Sequence, residues 1–262
     1  MEKNTVTVAR INLFAILRNI EDLCSMDSVC KDLIKGKKLS VQFRVPEVGI
    51  GTLKFENDKC EFIRGECPAS LKLYFTSAAH FNKLIDGENT VPIFYNVFQV
   101  GFLLKEFMGL ADRIKYYLQP TPEERKERCK DEDYFKVSTT LLAYTAFFAM
   151  SEIGNSDPVG KLIAGRIPEG IIQASIGDPS KDGVGISLAI EADGKMTTSK
   201  GCEAGKGRAF MQFKDFATAN AVLNGDLDVF TPIGEGTLSL YGYTPMLDNM
   251  SKLLGLVSKY VG

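Results

Sequence analysis

Apolar and polar residues alternate along several short segments of the chain, as expected for half-buried β-strands. In the first half of the chain, the apolar positions of this pattern are Val41, Phe43, Val45, Leu53, Phe55 and Phe62. Turn-forming residues stand between two such segments at 57–59, and again at 192–194 in the second half. Neighbouring strands joined by tight turns pair antiparallel, so the pattern predicts antiparallel hairpins in both halves.

Longer apolar and amphipathic segments predict helices around these strands. The predicted helices cover residues 8–35 and 101–118 in the first half and residues 134–150 and 245–261 in the second. One further helix in each half is predicted to begin at Ser77 or Asp215, because these side chains can cap the first turn. It is predicted to end at Gly87 or Gly225, because glycine accepts the left-handed geometry of a helix end.

The two halves of the sequence also match each other in order and spacing. Segments 53–65 and 71–87 correspond to segments 188–201 and 209–225, with a two-residue insertion before Ala209. Such self-similarity indicates a duplicated structural unit. A unit of strands followed by helices is an α+β fold, and the chain is predicted to contain two tandem domains of this kind.

A charged segment near the middle of the chain is expected to separate the two domains. Residues 123–133 are all charged except Cys129. Thr121 and Glu124 have the spacing of a capping box, with Pro122 at the first helical position. We therefore predict a first domain over residues 1–119, a charged linker or short helix over residues 120–133, and a second domain over residues 134–262.

The composition narrows the range of functions. Of the 262 residues, 45% are hydrophobic and 24% are charged, which is typical of a globular protein. The net charge of -2 provides no basic field for a phosphate backbone, so we expect no nucleic acid partner. The only histidine is His80, and it lies opposite Thr218 in the repeat, which favours a surface position over a catalytic one.

The cysteines and the N-terminal residues bear on location. The six cysteines include no C-x-x-C pair, and no metal or cofactor is predicted. Arg10, Asn12 and Arg18 interrupt the apolar N-terminal residues before an export signal is complete. The apolar run 137–150 is shorter than the roughly 20 residues that cross a bilayer, so no membrane-spanning helix is predicted. We expect a cytoplasmic protein with reduced thiols.

The second repeat contains a distinctive order of segments, namely the run D-G-K-M-T-T-S-K-G, a strand ending at Phe213, a helix ending at V-L-N-G, and the segment 232–247 before an apolar terminal helix. In this order and spacing it resembles the sterol carrier protein 2 family. The positions that follow the family's G-x-L-x-I-x-G strand are Gly236, Leu238, Leu240 and Gly242. The match covers about residues 170–262, and a weaker copy covers about residues 39–118. In that copy, segment 91–101 lacks the glycine-flanked strand, which leaves open whether its sheet has fewer than five strands.

The resemblance implies two domains, each with a mainly antiparallel five-stranded sheet covered by helices. It also implies an apolar tunnel for a fatty acid, a fatty acyl-CoA or a sterol-like lipid. Ligand pockets are lined mainly by apolar side chains, and the candidates in the second domain are Met211, Phe213, Phe216, Leu223, Phe230, Ile233, Leu238, Leu240, Met246, Leu247, Met250, Leu253, Leu254 and Val257. The alternative for each of these residues is an ordinary core position. The candidate contacts to a lipid head group are Lys200, Lys206 and Arg208.

The expected function is therefore non-catalytic binding or transfer of a lipid, mainly by the second domain. The first domain is expected to fill its own cavity with aromatic side chains, namely Phe94, Tyr95, Phe98, Phe102 and Phe107. The alternative is a protein-interaction or oligomerisation module, accessory to a lipid-metabolising enzyme. The predicted partners are therefore a lipid ligand, a membrane surface in transient contact, and a second copy of the chain in a homodimer.

Overall fold

The computed structural model describes residues 3–95 and 100–261, apart from the side chain of Val100. The chain divides into two compact units, Met1–Leu141 and Leu142–Gly262. Each unit contains one five-stranded sheet and several helices, so each is an α+β structure.

The first unit opens with helical segments: α1 (Thr5–Ile11), a π-helical turn (Asn12–Ile16), a 3-10 turn (Leu17–Asn19), α2 (Ile20–Met26) and α3 (Ser28–Ile34). The strands are β1 (Leu39–Val45), β2 (Gly49–Glu56), β3 (Lys59–Arg64), β4 (Leu71–Tyr74) and β5 (Ile93–Tyr95). The later helices are α4 (Ala78–Ile85), α5 (Val100–Phe102), a π-helical turn (Leu103–Phe107), α6 (Met108–Leu118) and α7 (Pro122–Arg128). Helix α8 (Glu132–Ser156) runs across the boundary between the units.

The second unit continues with α9 (Pro158–Ala164) and then β6 (Gly170–Ile176), β7 (Val184–Ile190), β8 (Met196–Lys200) and β9 (Ala209–Phe213). It ends with α10 (Phe216–Leu223), α11 (Phe230–Glu235), β10 (Leu238–Gly242) and α12 (Thr244–Val261). The amphipathic pattern of 245–261 is the reason that α12 forms there, with its apolar side buried.

The predicted caps of the short helices are confirmed. The Ser77 hydroxyl accepts a hydrogen bond from the backbone N–H of His80, and Asp215 accepts one from Thr218. Gly87 and Gly225 follow these helices with positive φ angles of 81° and 76°. The capping box of Thr121 and Glu124 is also present at the start of α7. His80 and Thr218 therefore occupy the same position relative to their caps.

The two sheets have the same strand order, β3-β2-β1-β4-β5 in the first unit and β8-β7-β6-β9-β10 in the second. In each sheet one neighbouring pair is parallel, β1 with β4 and β6 with β9, and the other pairs are antiparallel. The predicted antiparallel hairpins are present, and most pairs are antiparallel, but each sheet is mixed because of its one parallel pair. The chain leaves β3 and crosses to the far side of β1, and alternation alone does not indicate this crossing because it fixes a strand's faces and not its partner.

Segment 91–101 of the first unit does contribute a strand. Residues Ile93–Tyr95 form β5, which pairs antiparallel with β4. The first sheet therefore has five strands and is not shorter than the second. This strand lacks the glycines of the G-x-L-x-I-x-G motif. Their absence was the reason for asking whether the first sheet has fewer than five strands. The predicted helix over 8–35 is also divided, because Asp27 has an extended backbone and caps a new helix, α3.

In the first unit, Asp27 joins the first turn of α3 to helix α6. Its carboxylate accepts hydrogen bonds from the backbone N–H of Cys30 and from the Tyr117 hydroxyl, both at 2.8 Å. The Arg113 guanidinium also donates to this carboxylate. Asp27 is 4% exposed, so its charge is buried, whereas Arg113 is half-buried.

The second unit repeats this connection with different chemistry. Asp157 caps α9 by accepting a hydrogen bond from Gly160 at 2.8 Å, and it accepts a second from the Tyr260 hydroxyl of α12 at 2.7 Å. Arg113 lies four residues before Tyr117. The corresponding residue before Tyr260 is Leu256, which is buried. Helix α12 is thus held to α9 by a hydrogen bond and by apolar contact.

Two glycines of the second unit are expected to respond oppositely to alanine. A Cβ atom at Gly160 would clash with the carbonyl oxygen of Ile153, whereas a Cβ atom at Gly255 would meet nothing within 4 Å. We expect Gly160→Ala to lower the free energy of unfolding by about 2–4 kcal/mol. Gly255→Ala should raise it by about 0.5–1 kcal/mol, because alanine loses less entropy in a helix. Urea denaturation measures the free energy of unfolding of both variants. If Gly160→Ala were as stable as wild type, the close packing around α9 would be contradicted.

Candidate functional site

The candidate site lies where α12, α10 and α11 meet strands β9 and β10 of the second unit. Helix α12 contacts both α9 and β9, α10 contacts β9, and α11 contacts β10. The buried members of the predicted set are Met211, Phe213, Leu238, Met246, Leu247, Met250, Leu253 and Val257. The structure therefore brings the sheet and helix candidates into one apolar layer.

Strands β9 and β10 present two different faces. In their antiparallel register Leu240 lies opposite Met211, and Leu238 lies opposite Phe213, so these apolar side chains share the helix-covered face. The other face carries Phe210 and Tyr241, whose rings stack with centroids 4.7 Å apart.

Methionine side chains form part of the apolar layer. Met246 and Met250 of α12 are completely buried, and Met211 of β9 is 1% exposed. Methionine is flexible and adapts to irregular apolar shapes. A layer with this composition can change its packing at lower cost than one made of aromatic rings.

The other six candidates are less buried and lie on α10, α11, β10 and α12, the elements around this layer. We define the rim as the half-buried Phe216, Leu223, Leu240 and Leu254 together with the exposed Phe230 and Ile233. Phe230 is 84% exposed and stands at the start of α11. Phe230 and Ile233 were predicted to line an apolar tunnel, but both are exposed. The reason is that they belong to α11, a short surface helix that the sequence pattern did not predict.

Asp228 fixes the start of α11. It accepts hydrogen bonds from the backbone N–H groups of Phe230 and Thr231, at 2.8 and 2.9 Å, and from the Thr231 hydroxyl. The backbone and hydroxyl of Thr231, followed by the backbone of Phe230, hold the pKa of the Asp228 carboxyl below its usual value of 3.8. The carboxylate is therefore ionised at neutral pH, next to an exposed phenyl ring.

The structure does not gather the three candidate head-group cations into one place. The ammonium of Lys200 lies 5.3 Å from the ring centroid of Tyr144, at the end of the edge strand β8. Lys206 forms an ion pair with Glu203. The guanidinium of Arg208 lies 4.9 Å from the ring centroid of Tyr243. The three residues are close together in the sequence, which is why they were predicted to form one site. In the structure, the loop and strands between them separate them.

The residues after β8 fold over the sheet face opposite the helices. Gln173 donates to the carbonyl oxygen of Glu203, and Ser187 donates to that of Gly201, both at 2.8 Å. Burial raises the pKa of the neighbouring Cys202 thiol. This loop therefore covers polar strand residues and belongs to the opposite face from the apolar layer.

The corresponding layer of the first unit is filled differently. The ring of Phe102 lies 5.2 Å from that of Phe55, and the ring of Phe107 lies 5.7 Å from that of Phe43. Phe94 and Tyr95, by contrast, are 37% and 64% exposed, so the expectation that they fill the interior was wrong. They belong to the edge strand β5. Phe98 lies outside the described residues.

A surface groove of about 560 Å³ in the first unit is lined by residues 44–50 together with Tyr74 and Phe75. The Arg44 guanidinium at its side pairs with Glu66 at 2.6 Å and lies 5.7 Å from the ring centroid of Tyr74. The sequence pattern did not single out this groove, since its residues are the ordinary members of the β1–β2 hairpin and of the end of β4.

The residue that holds α12 in place was also missed by sequence reasoning. Asp157 followed by Pro158 is the signature of a capped helix with proline at its first position, and that signal was available. The partner hydroxyl of Tyr260 is 103 residues further along the chain, so no local pattern could have indicated it.

Two further structural results concern the described residues only. Within residues 3–95 and 100–261, no helix combines the length and the apolar character required to cross a bilayer. The same part of the chain contains no group of three or more histidine, cysteine, aspartate or glutamate side chains arranged to hold a metal ion.

No protein-family model matches the sequence, and no curated protein matches it. Among solved structures, a sterol carrier protein 2 crystal structure has 20% identity, covers 45% of this chain and 93% of its own, and gives a TM-score of 0.33. Sterol carrier protein 2 from Yarrowia lipolytica, in its apo form, has 17% identity, 45% and 91% coverage, and a TM-score of 0.31. The alkylsulfatase Pisa1 from Pseudomonas sp. has 14% identity and a TM-score of 0.26, with 28% of its length covered. These TM-scores are all below 0.5.

Proposed function

We propose that the second unit binds the apolar chain of a lipid between α12 and strands β9 and β10, without catalysing a reaction. The observation that supports this most is the combination of an adaptable buried layer with an exposed apolar border. Met246 and Met250 supply the adaptable part, and Phe230 supplies the exposed part. A lipid chain would enter at the rim and displace side chains of the layer.

Burial of an alkyl chain can by itself supply much of the binding free energy. Transfer of a methylene group from water to an apolar site contributes about 0.8 kcal/mol, so about ten methylenes would contribute roughly 8 kcal/mol. Entropy losses on binding and the repacking of the layer reduce this figure. Roughly 8 kcal/mol corresponds to a micromolar Kd, so ten methylenes give weaker binding than this once the losses are subtracted, and micromolar binding without a polar anchor requires a longer chain.

The two units are proposed to have unequal roles. Phe102 and Phe107 occupy the layer of the first unit with rings that pack on Phe55 and Phe43. Displacing buried aromatic rings is costly because each contributes several kcal/mol to the core. The second unit is therefore the proposed site, and the first is proposed to be structural.

Native mass spectrometry of the full chain tests this proposal. After removal of bound lipid, the protein should take up one long-chain lipid with micromolar affinity, and extraction of the untreated protein should release a lipid of this kind. Absence of uptake for a fatty acid, a fatty alcohol and a sterol would overturn the proposal.

The exposed rim also supports a second candidate function, which is association with another protein or another copy of the chain. Exposed apolar patches on soluble proteins are often interaction sites. The variant Phe230→Ser distinguishes this function from lipid binding. Loss of self-association measured by sedimentation, with lipid uptake unchanged, would favour the interaction module.

A further inference from the structure

We propose that β5 of the first unit is an interface at which two copies of the chain join their first sheets edge to edge. This surface lies outside the unit that is proposed to bind lipid, so it is independent of the proposed function. Strand β5 ends the first sheet, where it pairs with β4 and has no strand on its other side among the described residues. The backbone N–H and C=O groups on the outer side of an edge strand are available to pair with another strand.

The other edge strands of the two sheets differ from β5 in their side chains. Proteins protect exposed sheet edges from pairing with charged residues, lysine above all. Strand β3 carries Lys59, Glu61 and Arg64, and β8 carries Lys200. Strand β10 is uncharged, but the large exposed hydrophobic side chain that it carries is Tyr241 alone. These three edges are therefore protected by charge or present little apolar surface.

Strand β5 has neither form of protection. Its three side chains are large, hydrophobic and exposed, with Ile93 52%, Phe94 37% and Tyr95 64% exposed. None of the residues 89–104 is charged. An uncharged edge with exposed hydrophobic side chains is the type of strand that pairs with another chain.

The residue before β5 sets the register of such a pair. Pro92 has no backbone N–H, so the hydrogen-bonded pairing begins at Ile93. An antiparallel pair of these three-residue strands with two-fold symmetry is then centred on Phe94. In this register Phe94 faces Phe94 of the second copy, and Ile93 faces Tyr95 of the second copy.

The side chains across this pair match on both faces of the sheet. Phe94 lies opposite the buried Leu73 of β4, so the two copies of Phe94 meet on that face. Ile93 and Tyr95 lie on the other face, because successive strand residues alternate. There the ring of Tyr95 is held by that of Tyr74, with centroids 5.3 Å apart. Both faces of the pair are therefore apolar.

The absence of charge favours a second copy of the chain as the partner. Two identical edges approach here without like-charge repulsion, and each apolar side chain meets an apolar side chain. On the neighbouring strand, Lys72 lies opposite Tyr95. In the joined sheets β4 of one copy is three strand spacings, or roughly 14 Å, from β4 of the other. Charges separated by more than about 10 Å are largely screened at 0.1 M salt, so the two copies of Lys72 do not oppose the pairing.

Sedimentation velocity of the full chain tests this interface. Over roughly 1–500 μM the sedimentation coefficient should rise as dimers form, because association follows mass action and a three-residue strand gives a small, weak interface. Ile93→Lys should weaken the association at least about tenfold, because it replaces an apolar cross-strand pair by a charge at the edge.

A mixture of two variants tests the register. Tyr95→Glu should also weaken self-association, because it interrupts the same cross-strand pair. When Ile93→Lys and Tyr95→Glu chains are mixed, they should form heterodimers at least about tenfold more tightly than either variant self-associates, since the two altered positions face each other with opposite charges. Recovery of association in the mixture also shows that both variants are folded.

The matched control is Ser239→Lys, which adds the same charge to an exposed position of β10, the edge strand of the second sheet. It should leave the association unchanged. A chain that stays monomeric over this range, unchanged association of Ile93→Lys, or a mixture without heterodimers would overturn the inference. Loss of association in Phe230→Ser but not in Ile93→Lys would also overturn it and would locate the contact at the rim. Lipid uptake by Ile93→Lys should equal that of wild type, so this inference and the proposed function fail or succeed separately.

Discussion

Replacing Asp27 by alanine is expected to destabilise the first unit by about 3–4 kcal/mol, the largest effect of any single polar substitution considered. The variant loses the cap of α3, which contributes about 1 kcal/mol. It also leaves the Tyr117 hydroxyl without its acceptor and the Arg113 guanidinium without its counter-charge. Removal of one member of a buried ion pair costs about 3–5 kcal/mol, and the partial exposure of Arg113 places this case at the lower end.

Hydrogen exchange measured by mass spectrometry can assign this loss to the first unit, because peptides from the two units are observed separately. Protection of α3 and α6 should fall together in Asp27→Ala. Asp32→Ala, an exposed change on the same helix, is the matched control and should alter stability by less than about 0.5 kcal/mol. Equal protection in Asp27→Ala and wild type would show that this buried connection does not stabilise the unit.

The same carboxylate makes the first unit sensitive to acid. Burial by itself would raise the pKa of Asp27, but hydrogen bonds from Arg113, the Cys30 backbone and Tyr117 outweigh burial and hold the pKa below the usual 3.8. A lowered pKa in the folded state stabilises the protein above the unfolded-state pKa. That stabilisation is lost as the pH falls below about 3.8 and through the folded-state pKa. The stability difference between wild type and Asp27→Asn should therefore shrink over this acidic range.

Leu240→Trp is expected to weaken lipid uptake by the second unit at least tenfold. Leu240 is half-buried and lies opposite Met211 on the helix-covered face of β10. An indole ring at this position would extend over the apolar layer that the lipid chain is proposed to enter. Overpacking costs about 1–3 kcal/mol, and since an indole is much larger than a leucine side chain, a cost of about 2–3 kcal/mol is expected, which corresponds to roughly a 30- to 150-fold loss of affinity.

The neighbouring residue provides the control for this variant. Ser239 is exposed and points to the opposite face of β10, because successive strand residues alternate between faces. Ser239→Trp adds the same ring to the same strand and should leave the stoichiometry and affinity of lipid uptake unchanged. If Leu240→Trp binds lipid as wild type does, the ligand is located elsewhere in the chain.

Local signals in the sequence were sufficient to predict much of each unit. The caps at Ser77, Asp215 and Thr121 and the glycines that follow α4 and α10 depend on residues within one turn of each other. Their geometry is determined by backbone hydrogen bonds that neighbouring side chains can satisfy. For this reason they could be predicted without knowledge of the fold.

Features that depend on distant residues could not be predicted in the same way. The parallel pairing of β1 with β4, and of β6 with β9, is set by the crossing of the chain over the sheet. The exposure of Phe230 depends on α11, a helix too short to show an apolar period. The scattering of Lys200 and Arg208 follows from strand order, since residues near each other in sequence end on strands that are not neighbours.

The repeat alignment correctly placed His80 and Thr218 at equivalent helix positions. The aromatic residues of segment 94–107 also predicted that the interiors of the two units differ, but the sequence did not show that Phe94 and Tyr95 belong to an exposed edge strand while Phe102 and Phe107 are buried. Volume and flexibility, rather than polarity, distinguish these interiors. The proposal that the second unit binds the lipid therefore has two supports, the sequence pattern and the aromatic packing of Phe102 and Phe107 in the first unit.

The connections made by Asp27 and Asp157 also have a consequence for the order in which the chain acquires its structure during synthesis. The hydroxyl that completes each connection comes from a tyrosine 90 residues later in the first unit and 103 residues later in the second. A growing chain emerges from the ribosome N-terminus first, so each aspartate stays hydrated until the helix that carries its tyrosine has been made, α6 in the first unit and α12 in the second. The first unit can complete its connection while the strands of the second are still being translated.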